Sequence, residues 1–462
     1  MANDLLKHLE GSSRRRFLRF ATAFGAAVAV DRSNILNVVN DTAGSAMADE
    51  AACAATNKSF HIVAGDGGFA WFQLLWPHNE IASANNDDFA FHAFGQTMMA
   101  GDTDKPLTLG PEAPWREYDK SKRITAFMAG NNETHTPTPT AAASVGNNQS
   151  MLAVCASIQR TTPSLLPVIA INPVAFGNAP GAPAATNVAD ADGMVQLFNS
   201  AASRAILEVP QDAALYEAYY KALLGLNKAA ARPTQLRGQK IGKQAASFLG
   251  QNLAAQLMVQ DEDLVRYGIN GGTPNKLSSL ARACIVAVKA FRLNLTQSVI
   301  VPALRDDPHG AFGDMASLRD TTQTLGGILD AFMGDLTAAE DPSCSARSLG
   351  DNVVMTIHGD TPKDPRVKSG WPDGTPNDSN WIYAMGNGFL KTGWHGGVRA
   401  NGATDVFDPT TGETVANGSS QSVSAAAGAA VAFAVAKGDM RRVQDFYNGP
   451  AIDGIVNINP IQ

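Results

Sequence analysis

The sequence is short of charge and short of cysteine, and each shortage closes off a class of protein. Only 17% of the 462 residues are charged, 45% are hydrophobic, and there are 42 Gly and 24 Pro. That balance argues against a coiled coil or a disordered chain and suits a globular protein with many ordered loops. Lys and Arg number 36 against 43 Asp and Glu, and no dense basic stripe occurs beyond the extreme N-terminus. No nucleic-acid partner is therefore expected, because that task needs a positive footprint. Cysteine appears four times, as Cys53, Cys155, Cys284 and Cys344, at spacings that match no metal motif. Cys155 and Cys284 stand in apolar runs, where a buried thiol is the common case. There is no C-x-x-C-H haem site, and Gly65-Asp66-Gly67-Gly68 does not form a G-x-G-x-x-G loop. No segment is apolar for long enough to span a membrane once the leader is removed.

That leader is the most specific stretch present. Residues 13–19 read Ser-Arg-Arg-Arg-Phe-Leu-Arg, followed by the weakly apolar "FATAFGAAVAV". Paired arginines ahead of an apolar run too short to cross a bilayer read as a twin-arginine export signal. Ala46-Met47-Ala48 offers a small-residue cleavage site. Residues 1–48 are thus expected to be signal and linker, and residues 49–462 a single domain. The product is expected in the periplasm or outside the cell, with the twin-arginine translocation machinery as its partner during export. Export also makes a disulfide possible.

Beyond the leader, short apolar runs alternate with stretches of helical period. Candidate strands are "FHIVA" (60–64), "ITAFMA" (124–129), "PVIAI" (167–171), "QSVIVPA" (297–303), "NVVMTI" (352–357) and "WIYAM" (381–385). Leu280, Cys284, Val288, Phe291 and Leu295 fall on one helical face, as do Leu318, Leu325, Leu329, Phe332 and Leu336. Ala-rich "SAAAGAAVAFAVAK" (424–437) reads as a packing helix. The pattern predicts an α/β fold with a largely parallel central sheet and helices on both faces. A helical insertion is expected over about 192–295.

In open α/β sheets, ligands bind outside the carboxyl ends of the strands, so the residues just after each strand carry the functional reading. The first strand is followed by Asp66 between glycines, the second by Thr134 and His135 in a long polar loop. The fourth is followed by Asp307 and His309, and the fifth runs into His358, Gly359 and Asp360. Each is also compatible with an ordinary turn. Together they form the inventory of a metal-assisted hydrolase, with oxygen and imidazole ligands around a hydroxyl nucleophile. His61, inside a strand, is read as structural.

The leader, the Gly-Asp-Gly, the Thr-His pair, the Asp-x-His, the Gly359-Asp360-Thr361-Pro362 turn and "GNGFLKTGWHGGVRANGATD" (386–405) occur in this order. In that order they resemble the exported bacterial family catalogued as domain of unknown function 1501, which is similar to the alkaline phosphatase and sulfatase superfamily. The resemblance covers roughly residues 58–170 and 280–460. It implies an alkaline phosphatase-like fold, a Ser or Thr nucleophile beside two metal ions, and transfer of phosphoryl or sulfuryl groups from a small anionic ester. On that resemblance Asp66 is the first-strand metal ligand and Thr134, followed by His135, is the nucleophile. Asp307 and His309 hold the other metal, and His358 supplies a further imidazole. The chain departs from the family at Ile357, where an acid is usual, at Asp360, where an Arg is usual, and at Asn380, where a His is usual. The implied cofactor is a divalent cation of the zinc, calcium or magnesium class, as one ion or none. The alternative is a non-catalytic periplasmic or surface protein, binding or structural, on the same fold.

Overall fold

The computed structural model describes residues 53–63, 98–99, 105, 108–109, 113–130, 143–162, 164–171, 176–199, 233–304, 314–358, 380–398 and 404–459. Residues 1–48, read above as signal and linker, lie outside them. Every apolar run singled out above becomes a strand of one sheet: β1 (Lys58–Val63), β2 (Thr125–Met128), β3 (Val168–Ile171), β5 (Ser298–Pro302), β6 (Val353–His358) and β7 (Trp381–Met385). Two more join it, β4 (Ala185–Val188) and β8 (Gly393–His395), giving eight strands in the order β8-β2-β7-β6-β1-β5-β3-β4. These two are short and stand at the edges, where an apolar run is not required to bury both faces.

β1 pairs in parallel with β6 and with β5, β3 does so with β5 and with β4, and β8 does so with β2. β7 alone is reversed, antiparallel to both β6 and β2. The sheet is therefore mostly parallel, and all strands except β7 end on the same edge.

The helices are α1 (Met151–Gln159), α2 (Ala191–Asn199), α3 (Pro233–Ser247), α4 (Leu253–Leu257), α5 (Asp261–Arg266), α6 (Asn275–Arg292), α7 (Met315–Ala338) and α8 (Ser424–Val435). Between β4 and β5 every described element is a helix. Strand residues alternate between the two faces of a sheet. Phe60 and Ile62 of β1 turn toward α7, where the rings of Phe60 and Phe332 lie 4.4 Å apart. Val63 turns to the opposite face and joins Ile300, Val168 and Ala170 against Leu152 and Ala156 of α1. Both faces are thus covered. On α6, Leu280, Cys284, Val288 and Phe291 are buried, and so are Leu325, Leu329, Phe332 and Leu336 on α7. A side chain every third or fourth position is what a helix needs to present one apolar face to a sheet. α8 is buried nearly all round because it packs against α1 and β6 together.

The amino edge of the sheet is stitched by polar groups. Gln159 of α1 donates from Nε2 to the Asn57 carbonyl at 2.8 Å and to the Gln297 carbonyl at 3.1 Å, tying the starts of β1 and β5. A disulfide joins Cys53 to Cys344 there, with Cα atoms 4.4 Å apart across a separation of 291 residues. Cys155 and Cys284 are buried free thiols, as expected from their apolar surroundings, and burial pushes the Cys155 thiol up to about 12. A disulfide that closes so long a loop restricts the unfolded chain strongly, by about 3–5 kcal/mol. Reduction, or Cys344→Ser, is accordingly expected to lower the denaturant midpoint by that free energy. Equal midpoints with and without reductant would show that the bridge contributes nothing.

Candidate functional site

The strand directions decide where a site can be. β2, β6, β1 and β5 precede the segments bearing the candidate residues, and all four end on one edge. β6, β1 and β5 are immediate neighbours, with β2 on the far side of β7. At about 4.8 Å per strand the four ends span about 19 Å. Asp66, Thr134, His135, Asp307, His309 and Asp360 themselves lie outside the described residues. His358 is described, as the last residue of β6, 3% exposed.

Its surroundings are specific. His358 lies two residues beyond Thr356, so both side chains share a face, and Thr356 sits beside His61 of β1 in the parallel register. The Thr356 hydroxyl is 2.7 Å from His61 Nδ1 and 3.2 Å from His358 Nδ1. The two rings meet edge to face, 6.5 Å apart. Both Nε2 atoms are buried and lack a hydrogen-bond partner among the described residues. Burial pushes His358 down to about 4; burial, then the neighbouring His358, pushes His61 down to about 3. Both rings are therefore neutral at pH 7, which is the form that offers a lone pair to a metal. The sequence pattern presents His61 as structural and gives Thr356 no role. The only signal was the two-residue spacing of Thr356 and His358, because the pairing with β1 joins segments almost 300 residues apart.

The departures from the family pattern now have places. Ile357 is 4% exposed and packs with the core on the face of Ile62 and Tyr383, away from the His358 imidazole. Asn380 begins the reversed strand at the same edge, 1% exposed. Its Oδ1 accepts from the Trp381 backbone N–H at 2.8 Å, and its own N–H donates to Ser420 Oγ at 3.1 Å. Gly130, just past β2, is packed so closely that a Cβ there would lie 2.6 Å from the Asn380 side chain. The position needs glycine for that approach.

A further imidazole on this edge, His395, ends β8. It is 2% exposed, stacks on Phe127 at 5.2 Å, and donates from Nε2 to the Lys391 carbonyl at 2.9 Å. Burial pushes it down to about 4. Three strand spacings, about 14 Å, separate β8 from β6, so the two imidazoles do not share one ion.

As a test of fit to a divalent cation, the described residues supply two imidazole nitrogens on the edge with no partner among them, Nε2 of His358 and Nδ1 of His395, too far apart to share an ion. Among the described residues no group of three or more His, Cys, Asp or Glu is placed to hold a metal. The oxygen donors the resemblance implies all belong to segments that leave this edge. A His ligand ordinarily has its second nitrogen fixed by a hydrogen bond, and Thr356 does this for His358. No helix among the described residues is long and apolar enough to cross a membrane. Family models, curated proteins and solved structures were all compared with this chain, and none matches it.

Proposed function

We propose that this chain is an exported, metal-dependent hydrolase of phosphate or sulfate esters. Its scaffold is read as alkaline phosphatase-like, with the helices over about 192–295 as an insertion. The observation that carries the reading is the common direction of β2, β6, β1 and β5, which starts every candidate segment from one edge beside a neutral imidazole whose Nε2 has no partner among the described residues. A bound divalent cation would polarise the ester oxygen and favour ionisation of an attacking hydroxyl. Within that reading Thr134, followed in sequence by His135, would attack, Asp307 and His309 would hold one cation, and a second would lie near Asp66 and His358. Asp66 and Asp360 supply the hard oxygen ligands. The substrate is a small anionic ester.

A second reading, a non-catalytic binding or structural protein on the same scaffold, is favoured by one observation. Ile357 is committed to the core, and Asn380 turns its carbonyl oxygen to its own strand. Elemental analysis of the purified exported chain, with turnover of aryl phosphate and aryl sulfate esters, decides between them. The hydrolase reading expects bound zinc-, calcium- or magnesium-class metal and turnover that a chelator removes. A metal-free protein inert toward both esters after metal addition would leave the second reading standing.

A further inference from the structure

We propose that His61, Thr356 and His358 form a tautomer relay, in which the ligand on His358 Nε2 sets which nitrogen of His61 carries its proton. A threonine hydroxyl has one hydrogen to donate and lone pairs to accept. Between two Nδ1 atoms, at 2.7 Å and 3.2 Å, it donates to one ring and accepts from the other. The two neutral rings are therefore held in opposite tautomers. In one arrangement His61 carries its proton on Nδ1, the hydroxyl donates to His358 Nδ1, and His358 Nε2 bears the hydrogen. In the other, His358 carries its proton on Nδ1, the hydroxyl donates to His61 Nδ1, and His358 Nε2 is a bare lone pair.

Converting the first arrangement into the second takes one proton from water at His61 Nε2 and moves one along each hydrogen bond. One proton is returned to water from His358 Nε2, and neither ring changes charge. A cation on His358 Nε2 requires the lone pair and so selects the second arrangement, placing the His61 proton on Nε2. An ester oxygen in the same place requires a donor and selects the first. His61 is in this sense a positioning residue: it lies on the strand next to that of His358 and is linked to it by hydrogen bonds through Thr356. Both Nε2 atoms are buried, so the exchange with water that resets the tautomers takes place when the structure opens locally.

The opposite tautomers stand on geometry alone; the choice made by a cation rests on the proposed metal reading. The test is nitrogen NMR on the full chain with its eight histidines labelled in the ring, first without metal and then with zinc. Wild type is expected to show His61 and His358 as opposite tautomers, and Thr356→Ser to preserve them. Thr356→Val, with its folding checked by its melting transition, is expected to lose the correlation. Added zinc is expected to shift His358 Nε2 and to leave His61 as the Nε2–H form in wild type and Thr356→Ser. In Thr356→Val the zinc shift at His358 is expected without a matching response at His61. Identical tautomers for the two rings in metal-free wild type overturn the relay, as does zinc on His358 with His61 still protonated on Nδ1. If zinc leaves His358 unmoved while the rings remain opposite, the metal reading fails and the relay stands.

Discussion

Thr134→Ala is expected to lower kcat toward a phosphate or sulfate ester by about 10⁴-fold or more, whereas Thr134→Ser retains turnover. The size of the effect follows from the kind of step. A nucleophile forms a bond that no other group in the site supplies, so its removal costs far more than loss of a binding contact. Serine keeps the hydroxyl and gives up only a methyl group, so bond formation survives. The comparison also separates this role from the bland one, a loop residue capping a turn. A capping threonine is replaced by alanine at a cost of about 1 kcal/mol in stability, with no change in the chemical step. Turnover in Thr134→Ala equal to wild type would therefore remove Thr134 from the mechanism, even in an enzyme that binds metal and cleaves esters. KM is the second readout: loss confined to kcat marks a group acting in the transition state, and a raised KM with kcat unchanged marks a binding contact.

The strands were legible because a strand buried on both faces must be a continuous apolar run, and "FHIV" or "NVVMTI" allows few other readings. The helical stripes of α6 and α7 were legible for the matching reason, a period of 3.6. The order and direction of the strands were not legible. Nothing in residues 58–63 states that they will lie between residues 298–302 and 353–358. The reversal of β7 is equally silent, since antiparallel and parallel strands buried on both faces share one composition. The consequence for the site is concrete. Ile357 and His358 are neighbours in sequence and read there as one pocket wall, but the pleat sends them to opposite faces. His61 looks like a core residue in its own strand and acquires a role only when β6 brings Thr356 beside it. The polar residues after the strands were legible as a set, because ligand-bearing types recur at corresponding places. The common edge that they leave from is a property of the topology.

At the other edge of the sheet, Asp341→Ala is expected to destabilise the fold by about 3–5 kcal/mol. Lys58, the first residue of β1, is 1% exposed and reaches Asp341 Oδ1 at 3.0 Å. The same oxygen accepts from the Ser343 N–H at 2.9 Å and from its hydroxyl at 2.8 Å, and Asn352 Nδ2 donates to Oδ2 at 2.8 Å. Burial pushes the Asp341 carboxyl up, but the Lys58 ammonium and the Ser343 hydrogen bonds outweigh it and hold the carboxyl below its ordinary range. Burial also pushes Lys58 down, and attraction to Asp341 only partly offsets this. The pair is thus a modest stabiliser of the fold and an expensive one to break. Removing the carboxylate leaves an ammonium in the protein interior with Ser343 Oγ, at 3.2 Å, as its named remaining partner. The double variant Lys58→Met/Asp341→Leu removes both charges and is expected to recover the part of the loss due to the unpaired ammonium, while Ser343 and Asn352 still lose their acceptor. The pH dependence has a definite sign. A carboxyl with a depressed folded pKa stabilises the fold above its unfolded value, about 3.9, and that contribution is lost as pH falls through the folded value. Urea midpoints measured from pH 7 downward should therefore show wild type losing, below about pH 4, a component of stability that the double variant never had. Parallel pH profiles for the two proteins would mean that Asp341 is not ionised against Lys58 in the fold, and the ion pair would then have to be read as a neutral hydrogen-bonded one.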